Sequence, residues 1–378
     1  MGLNELRKNI DDIDDEIAEL FCRRMKTVAA VTEWKRQNNA AVYSGSREDD
    51  ILSRVSAACG DELASYARVL FSTMFELSRS YQESALPHEG SKLFKLIESA
   101  ERCGALPENA SVACQGTEGA YSQQACLKLF PSPDITFFQS FEDVFRAVDS
   151  GECQYGLLPI ENSSAGSVIS VYNLMNKYNF YIVQGVRLKI DHCLLAPDGV
   201  AHGDIREVVS HEQALAQCSG FLRKNPQIKV TVFENTATAA KYVAESGRRD
   251  IAAIAAPICS QLYGLNVLAE KLQDSDHNFT RFICISKTLG IYPGANKITF
   301  IATLPHSPGA LYGLISKFAH RGINISKIES RPIPGKDFEF IFYFDVEAPI
   351  DDKTVQGILI QLENEGRLTF LGGYPEKS

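Results

Sequence analysis

Apolar residues recur every three or four positions along the first part of the chain. Leu3, Leu6, Ile10, Ile13 and Ile17 follow this spacing, which places them on one face of an α-helix that continues to about Lys35. Such a helix would be ~50 Å long at about 1.5 Å per residue, whereas a domain of about 90 residues is only ~25 Å across. The helix is too long for its own domain to cover, so we expect a partner chain alongside it.

Two shorter helices are predicted after the first, near residues 46–58 and 62–84. Gly60 separates them, and no proline interrupts residues 1–85. Glycine and proline are the residues least compatible with a helix interior. We therefore predict that residues 1–90 form an all-α domain, called the helical region below.

From about residue 110 the pattern changes to short apolar runs that alternate with helical stretches. SVACQ, YGLLPI and DIAAIAA are typical of strands, and turns rich in Gly, Ser, Thr and Asn follow several of these runs. The alternation predicts an α/β region over residues 109–288. Residues 91–108 are predicted to be a linker because they contain a short amphipathic stretch that ends at Leu106-Pro107.

The last segment follows a second linker at residues 290–296 and begins a third pattern. Its predicted elements come in the order βαββαβ over residues 297–376. That order suits an α+β ferredoxin-like fold, and we call this segment the C-terminal module. The chain is therefore predicted to be multidomain.

Composition narrows the class of protein. The chain has 378 residues, 45% of them hydrophobic, which argues against disorder. No run approaches the ~20 apolar residues needed to span a bilayer, and the acidic first residues lack the apolar core of a signal peptide. The ten cysteines never form a CxxC pair, so we expect a reduced cytoplasmic protein with neither a zinc site nor a dithiol redox site.

The charge balance argues against nucleic acid as a partner. The chain carries 38 basic and 47 acidic residues, a net charge of −9, and has no basic run. An anionic small molecule stays possible, because one cleft needs only a few well-placed cations. Arg24 and Lys35 continue the apolar seam of the first helix, where an unpaired charge would be costly. They either pair with helix carboxylates or reach solvent, or they line a pocket for an anion.

Four motifs in residues 1–85 give this pocket a more specific interpretation: LRKNIDDID, RRMKTVAAVTEWK, VYSGSRE and ELSRSYQ. Together they resemble the all-helical chorismate mutase domain of bifunctional P-proteins. The resemblance implies an interlocked dimer in which Arg7 reaches the pocket of the partner. The substrate-binding residues that it implies are Arg7, Arg24, Lys35, Arg47, Glu48, Ser78 and Gln82.

The chemistry of that family needs no proton donor and no nucleophile. Chorismate rearranges to prephenate by a unimolecular pericyclic shift, so the pocket must fold the substrate and stabilise charge on its ether oxygen. The resemblance implies that Arg7 and Arg24 clamp carboxylates and that Glu48 accepts a bond from the ring hydroxyl. Lys35 and Gln82 would donate to the ether oxygen. Many relatives carry Asp where this chain has Ser44, and this substitution leaves open an impaired mutase.

In the α/β region, helix starts rich in hydrogen-bond donors occur in GTEGAYS (116–122), PIENSSAGSV (159–168) and SHEQALAQC (210–218). NFTRF (278–282) is a fourth segment of this kind, and Ser210 is predicted to be an N-cap. Alone, each segment is explained by ordinary capping and turn chemistry. Together they resemble prephenate dehydratase across residues 110–288, a fold of two α/β lobes around a cleft, similar to periplasmic solute-binding proteins.

The resemblance implies that Thr280 is the catalytic residue that helps the C4 hydroxyl of prephenate leave as the ring loses CO2. The residues implied to bind this substrate are Glu161, Asn162, Ser210, Gln217, Thr280 and Arg281. Ser122 and Thr117 belong to the first loop with no assigned role. His277 and His211 are more typical of structural histidines than of catalytic acids. We expect neither a metal nor an organic cofactor.

The C-terminal module contains SPGALYGLISKFAHRGINISKIESRP, which resembles the ACT regulatory module of prephenate dehydratases. The resemblance implies a phenylalanine pocket at a subunit interface. Its effector-binding residues would be Gly309, Ala310, Leu311, Asn324, Glu329, Ser330 and Arg331, and Pro332 completes the ESRP motif. Phenylalanine bound there would shift the protein between two quaternary states and inhibit the dehydratase.

The leading hypothesis is an enzyme that converts chorismate to prephenate and then to phenylpyruvate under inhibition by phenylalanine. It would act as a homodimer or a larger homo-oligomer, away from nucleic acid and membranes. Two alternatives stay open: a ligand sensor without turnover, and a dehydratase whose mutase half is impaired.

Overall fold

The computed structural model describes residues 2–38, 45–84, 90–307, 309–333 and 340–377. Ser44 lies outside these ranges. In chain order, the helices are α1 (Leu3–Gln37), α2 (Gly45–Ser84), α3 (Lys92–Ser99), α4 (Tyr121–Leu129), α5 (Phe141–Ser150), α6 (Ile169–Lys177), α7 (Glu212–Gln217), α8 (Ser219–Lys224), α9 (Thr236–Glu245), α10 (Ile258–Tyr263), α11 (Ala310–Ala319) and α12 (Lys353–Asn364).

The strands, in chain order, are β1 (Glu101–Arg102), β2 (Ser111–Gln115), β3 (Asp134–Phe138), β4 (Tyr155–Asn162), β5 (Gly166–Ser167), β6 (Tyr181–Lys189), β7 (Cys193–Ala196), β8 (Glu207–His211), β9 (Lys229–Phe233), β10 (Ile251–Ala255), β11 (Asn266–Ala269), β12 (Phe279–Ser286), β13 (Gly290–Ile291), β14 (Lys297–Thr303), β15 (Asn324–Pro332), β16 (Phe340–Glu347), β17 (Leu368–Tyr374) and β18 (Glu376–Lys377). No helix in the described ranges is long and apolar enough to cross a membrane.

The helical region consists of α1 and α2. The predicted 35-residue first helix is confirmed, since α1 runs from Leu3 to Gln37. Gly60 interrupts α2 with φ 69° and ψ 167°, so the two predicted helices either side of it are also confirmed. Positive φ costs glycine little, which explains why this residue occupies the break.

The α/β region contains two sheets, each with its own buried core. The strand order is β18-β6-β12-β4-β2-β3 in one sheet, with β5 paired to β4, and β11-β7-β10-β8-β9 in the other. Every residue of β10 is fully buried, which explains its continuous apolar sequence IAAIA. The predicted two-lobed α/β fold is confirmed.

The C-terminal module has the predicted βαββαβ order, from β14 through α11, β15, β16 and α12 to β17. Its sheet has the order β15-β16-β14-β17. Asp352 caps α12 by accepting hydrogen bonds from the backbone N–H groups of Thr354 and Val355. The predicted ferredoxin-like arrangement is therefore present.

The chain forms two compact units whose borders differ from the predicted domain borders. One unit contains residues 1–98 and 300–369, and the other contains residues 99–299 and 370–378. The last nine residues thus group with the α/β region. Residues 91–108, predicted as a linker, contain α3 and β1, and Leu93 and Ile97 of α3 are buried.

Candidate active sites

In the helical region, the side chain of Arg24 on α1 contacts residues of α2. Its guanidinium donates to Ser78 Oγ and to the backbone oxygen of Met74, the latter at 3.4 Å, and lies 5.8 Å from the ring centroid of Phe75. Burial lowers the pKa of Arg24, and the charge of Glu48 partly offsets this effect. A half-buried cation without a bound carboxylate partner among these contacts suits an anionic ligand.

Two further predicted residues lie on α2. Glu48 forms an ion pair with Arg79, a residue of the ELSRSYQ motif that was not among the predicted site residues. Gln82 is buried and donates to the backbone oxygen of Ser78 at 3.3 Å, whereas its Oε1 accepts no hydrogen bond within the described ranges. A buried polar atom without a partner is costly, so Gln82 is suited to contact a ligand.

The other predicted residues of this site lie away from Arg24 along α1 or are more exposed to solvent than Arg24. Arg7 lies 17 positions before Arg24 on the same helix, about 25 Å away at ~1.5 Å per residue. Arg7 and Arg47 are exposed, and Lys35 is half-buried. One copy of the chain therefore brings together Arg24, Ser78 and Gln82 but does not place Arg7 beside them.

The α/β region contains a cavity of about 290 Å³. Residues from both sheets and their connections line it: Gln115, Ala120, Tyr121, Ser122, Phe141, Pro159, Asn162, Ile190, His192, His211, Gln213, Ala214, Gln217, Glu234, Asn235, Thr236, Thr280 and Phe282. The predicted residues Asn162, Gln217 and Thr280 are among them. No lysine or arginine occurs in this lining of the described chain.

Asn162 and Thr280 are held together by strand pairing, since they lie opposite each other on β4 and β12. Asn162 Nδ2 donates to Thr280 Oγ1 at 2.9 Å and to Asn278 Oδ1 at 2.9 Å. Asn162 Oδ1 accepts from the backbone N–H groups of Ser164 and Ala165, which fixes the orientation of the amide. Because the Thr280 oxygen accepts this bond, its hydroxyl proton is available to an acceptor in the cavity.

Gln217 extends this network to His192, a residue that was not among the predicted site residues. Gln217 Oε1 accepts from Asn278 Nδ2 at 2.9 Å and lies 3.0 Å from His192 Nε2. His192 Nδ1 lies 3.2 Å from the Tyr121 hydroxyl, which donates to the backbone oxygen of Asp191. Burial lowers the pKa of His192, with a smaller opposing effect from Gln217. No local motif marks His192, because packing of distant segments creates its surroundings.

Three predicted residues do not line the cavity. Ser210 is fully buried and donates to the backbone oxygen of Ile254 at 2.5 Å. Its prediction as an N-cap is wrong, since the next residue, His211, caps α7 by accepting from the Gln213 N–H. Arg281 bonds Glu376 and Tyr374, and Glu161 lies opposite Arg281 on β4.

Of the four other residues named in or beside the dehydratase motifs, two line this cavity and two do not. His211 and Ser122 line it, whereas His277 and Thr117 do not. Burial lowers the pKa of His211, with a smaller opposing effect from Glu212. The Ser122 hydroxyl donates to the backbone oxygen of Gln115 at 2.5 Å.

In the described part of the chain, the first residues of two helices, rather than lysine or arginine side chains, line the cavity. The first residues of α4 and the start of α9 at Asn235 and Thr236 line it. Backbone N–H groups at helix starts lack intrahelical partners and attract anions. The cavity can therefore receive a carboxylate without a cationic side chain.

In the C-terminal module, the predicted effector residues lie on α11 and β15. Gly309, with φ 83°, precedes α11, which begins with Ala310 and Leu311. On β15, Arg331 Nη1 lies 3.8 Å from Glu329 Oε1, and the Arg331 Nε is buried without a partner in the described ranges. Ser330 lies between them, and Asn324, the first residue of β15, donates to Glu347 at 2.8 Å. The strand is at the edge of its sheet.

Comparisons with known families match three successive segments of the chain. Family models described as chorismate mutase type II, prephenate dehydratase and ACT domain match residues 6–83, 112–289 and 298–364. A bifunctional chorismate mutase/prephenate dehydratase from Aquifex aeolicus is 32% identical over 99% of this chain and 98% of its own length.

Two further relatives match a smaller share of the chain. An arogenate dehydratase/prephenate dehydratase from Arabidopsis thaliana is 36% identical over 79% of this chain and 81% of its own length. The crystal structure of a prephenate dehydratase from Arthrobacter aurescens, in complex with L-Phe, has a TM-score of 0.64 and 30% identity. That match covers 70% of this chain and 89% of the solved chain.

Proposed function

This chain belongs to the family of bifunctional chorismate mutases/prephenate dehydratases, and from that premise we propose which of its residues carry each activity. It is an enzyme of phenylalanine biosynthesis that rearranges chorismate to prephenate and then decarboxylates and dehydrates prephenate to phenylpyruvate, with feedback inhibition by L-phenylalanine. We assign the mutase to the α1–α2 site and the dehydratase to the cavity of the α/β region.

The mutase assignment depends mainly on the contact between Arg24 and Ser78. Arg24 offers a guanidinium to a substrate carboxylate, with Ser78 and the Met74 carbonyl holding it in place. Gln82 donates one N–H of its amide to the Ser78 carbonyl, and its second N–H would donate to the ether oxygen of the substrate. Lys35 would supply the second donor, and Glu48 the acceptor for the ring hydroxyl. Negative charge that develops on the ether oxygen is thereby stabilised.

The mutase needs a second copy of the chain in this proposal. Arg7 is about 25 Å along α1 from Arg24, so it serves the pocket of a partner rather than its own. The apolar face of α1 is exposed in one copy, including Leu6, Ile10, Ile13 and Ile17. A homodimer would cover that face and complete both pockets. Free cysteines throughout the chain support a reducing, cytoplasmic location.

The dehydratase assignment depends mainly on the Asn162–Thr280 hydrogen bond. Because Asn162 donates to Thr280 Oγ1, the threonine hydroxyl proton is directed to the C4 hydroxyl of prephenate as it leaves. The ring carboxylate departs as CO2, and its bonding electrons complete the aromatic ring. The helix starts at Ala120 and Thr236 would hold the remaining carboxylate. Asn278, Gln217 and His192 keep Asn162 in orientation.

The remaining predicted substrate residues act indirectly in this proposal. Ser210 braces β8 against Ile254, which fixes the neighbouring His211 in the cavity lining. Glu161 and Arg281 lie opposite each other in the strand register beside Asn162 and Thr280. These residues would support the geometry of the cavity, and Arg47 would act at the open edge of the mutase pocket.

A second candidate substrate is arogenate, in which an amino group replaces the keto oxygen of prephenate. The observation in its favour is the cavity lining, which contains the carboxylate of Glu234 and no lysine or arginine in the described chain. A carboxylate would bind the ammonium group of arogenate. Comparing kcat/KM for the two substrates tests this candidate, and Glu234→Gln should lower only the arogenate value.

The effector site is proposed at the edge strand β15 and the start of α11, between two copies of the module. Glu329 would bind the ammonium of phenylalanine, and the N–H groups that follow Gly309 would receive its carboxylate. A titration with phenylalanine tests this assignment. Glu329→Ala should raise the inhibitory concentration about tenfold or more, since charged hydrogen bonds contribute roughly 1.5–3 kcal/mol. Equal sensitivity of the variant and the wild type would refute the pocket.

The proposed activities are tested together by supplying each substrate separately to the full chain. Chorismate should disappear and phenylpyruvate should form from prephenate, the latter less in the presence of phenylalanine. Binding of prephenate without phenylpyruvate at any phenylalanine concentration would favour a ligand sensor. Turnover of prephenate with no loss of chorismate would favour a dehydratase with an inactive mutase.

A further inference from the structure

Arg281 follows Thr280 directly on β12, and the two side chains have different surroundings. Neighbouring residues in a strand point to opposite faces of the sheet. Thr280 lines the cavity, whereas Arg281 is 8% exposed and does not line it. The Arg281 Nε lies 2.5 Å from Glu376 Oε1, and its Nη2 donates to the Tyr374 hydroxyl at 2.7 Å. Tyr374 and Glu376, which lie in the segment 374–377 that we call the tail, therefore bind Arg281, the residue next to Thr280.

Glu376 is surrounded by three cations. Besides Arg281, its Oε2 lies 3.0 Å from both Arg187 Nη2 and Lys297 Nζ. Arg281 and Arg187 lie directly opposite each other on β12 and β6, an arrangement that is unfavourable for two like charges. Glu161, on β4, is the residue opposite Arg281 on the other side. Without Glu376, Arg281, Arg187 and Lys297 would lose the carboxylate that they share.

The end of the chain is fitted closely onto β6. Glu376 pairs with Gly185 in a parallel register, and the Gly185 N–H donates to the Pro375 oxygen at 2.9 Å. A Cβ atom on Gly185 would lie 3.2 Å from the Glu376 side chain, and one on Gly372 would lie 2.3 Å from the Ile182 oxygen. The Ile182 backbone oxygen leaves no room for a side chain at position 372, and a side chain at position 185 would crowd Glu376.

The charge state of Glu376 agrees with this geometry. Burial alone would raise the pKa of Glu376, but Arg281, Lys297 and Arg187 outweigh burial and lower the pKa below its usual range. The Tyr374 hydroxyl is fully buried and lies 2.7 Å from Thr299 Oγ1 as well as beside Arg281. The tail thus supplies both a charge and a neutral hydrogen-bonding group to Arg281.

We propose that Glu376 and Tyr374 are positioning residues for the dehydratase. By holding Arg281 on one face of β12, they keep the Thr280 hydroxyl, one residue away, in its bond with Asn162 on the other face. This inference rests on the dehydratase role proposed for Thr280. It predicts that changes in the tail lower the turnover rate more than substrate binding, because neither tail residue touches the cavity.

The test is Glu376→Gln in the full chain, with steady-state kinetics on prephenate. The substitution keeps the size of the side chain but leaves the three cations without this carboxylate. We expect kcat to fall about tenfold to hundredfold with KM changed less than about twofold, as for small misplacement of a catalytic group. Glu376→Asp, which keeps the charge, should recover part of kcat, and Tyr374→Phe should lower kcat by a smaller factor.

Lys377→Gln is the matched control, since it changes the exposed next residue of β18. Mutase activity measured in the same samples is the second control and should stay within about twofold. Equal kcat for Glu376→Gln and Lys377→Gln, measured well below the melting temperature of each, would overturn the inference. A kcat equal to that of the wild type in any variant that lacks a carboxylate at position 376 would also overturn the inference. If the wild type itself fails to convert prephenate, the proposed function fails instead.

Discussion

The helical region exposes apolar side chains of α1 to solvent, whereas the α/β region buries most of those on its strands. The six apolar residues from Leu3 to Leu20 on α1 are each 45–64% exposed, whereas every residue of β10 in the α/β region is fully buried. Burial of apolar surface is the main favourable term in folding, and exposed apolar stripes mark sites of association. One copy of the chain therefore buries the apolar strand β10 of the α/β region but leaves the apolar face of α1 exposed, as the proposed dimer requires. Variants that impair one activity and spare the other test whether only the mutase depends on a second copy.

The largest expected effect is that of Thr280→Val on the dehydratase. Valine keeps the shape but removes the hydroxyl that receives the Asn162 bond, so phenylpyruvate formation should fall about 10²–10⁴-fold, the range for loss of a proton donor. Chorismate consumption should stay within about twofold. Thr136→Val, an exposed change in the same sheet, is the control. Near-normal phenylpyruvate formation by Thr280→Val would remove Thr280 from the mechanism.

Arg24→Ala makes the reciprocal test and should act on the mutase alone. Loss of the guanidinium removes the proposed carboxylate contact, and we expect kcat/KM for chorismate to fall about 10²–10³-fold. Prephenate turnover should stay within about twofold. Arg23→Ala, which removes an exposed neighbouring cation, should leave both activities near normal. Parallel losses in both activities would contradict two independent sites.

Sequence patterns predicted the elements better than they predicted which motif residues share a site. The helix spacing and Gly60 located α1 and α2, and alternating apolar runs located the α/β region. The motifs, however, named neighbouring residues together: Glu161 with Asn162, and Thr280 with Arg281. Neighbouring residues in a strand point to opposite faces of the sheet. Of these four residues, Asn162 and Thr280 line the cavity, whereas Glu161 and Arg281 do not. Applying the two-residue period to each motif would have revealed this division.

Other contacts in the candidate sites join residues that are far apart in the sequence. His192 joins Tyr121 and Gln217, which lie 71 and 25 positions away along the chain. Arg79 pairs with Glu48 across 31 positions. Both contacts depend on how whole elements pack, which hydrophobic spacing alone does not specify. The same reason explains why the pairing of the chain's end with β6 was not predicted.

Ile13→Asp tests whether the exposed apolar face of α1 is a dimer interface. A charge in the middle of the α1 stripe would be buried in the proposed dimer, so the dimer should dissociate and mutase activity should fall about tenfold or more. Prephenate turnover should change less than about twofold. Light scattering beside both assays measures the outcome, with Asp15→Ala on the opposite helix face as the control. A monomer with full mutase activity would refute the shared pocket.

The smallest expected effect is that of Ser44→Asp, which introduces the aspartate that the resemblance to chorismate mutases implies at this position. Arg24 and Gln82 carry the substrate contacts in our proposal, so a side chain that only orders the start of α2 should change mutase kcat/KM by about two- to threefold, upward. One hydrogen bond contributes roughly 0.5–1.5 kcal/mol, which sets the upper limit near tenfold. Ser46→Asp, on the first turn of α2, controls for added negative charge alone. An increase well beyond tenfold, absent from the control, would mean that residue 44 contacts chorismate, and the mutase of this chain would then be impaired by its serine as well as dependent on a partner.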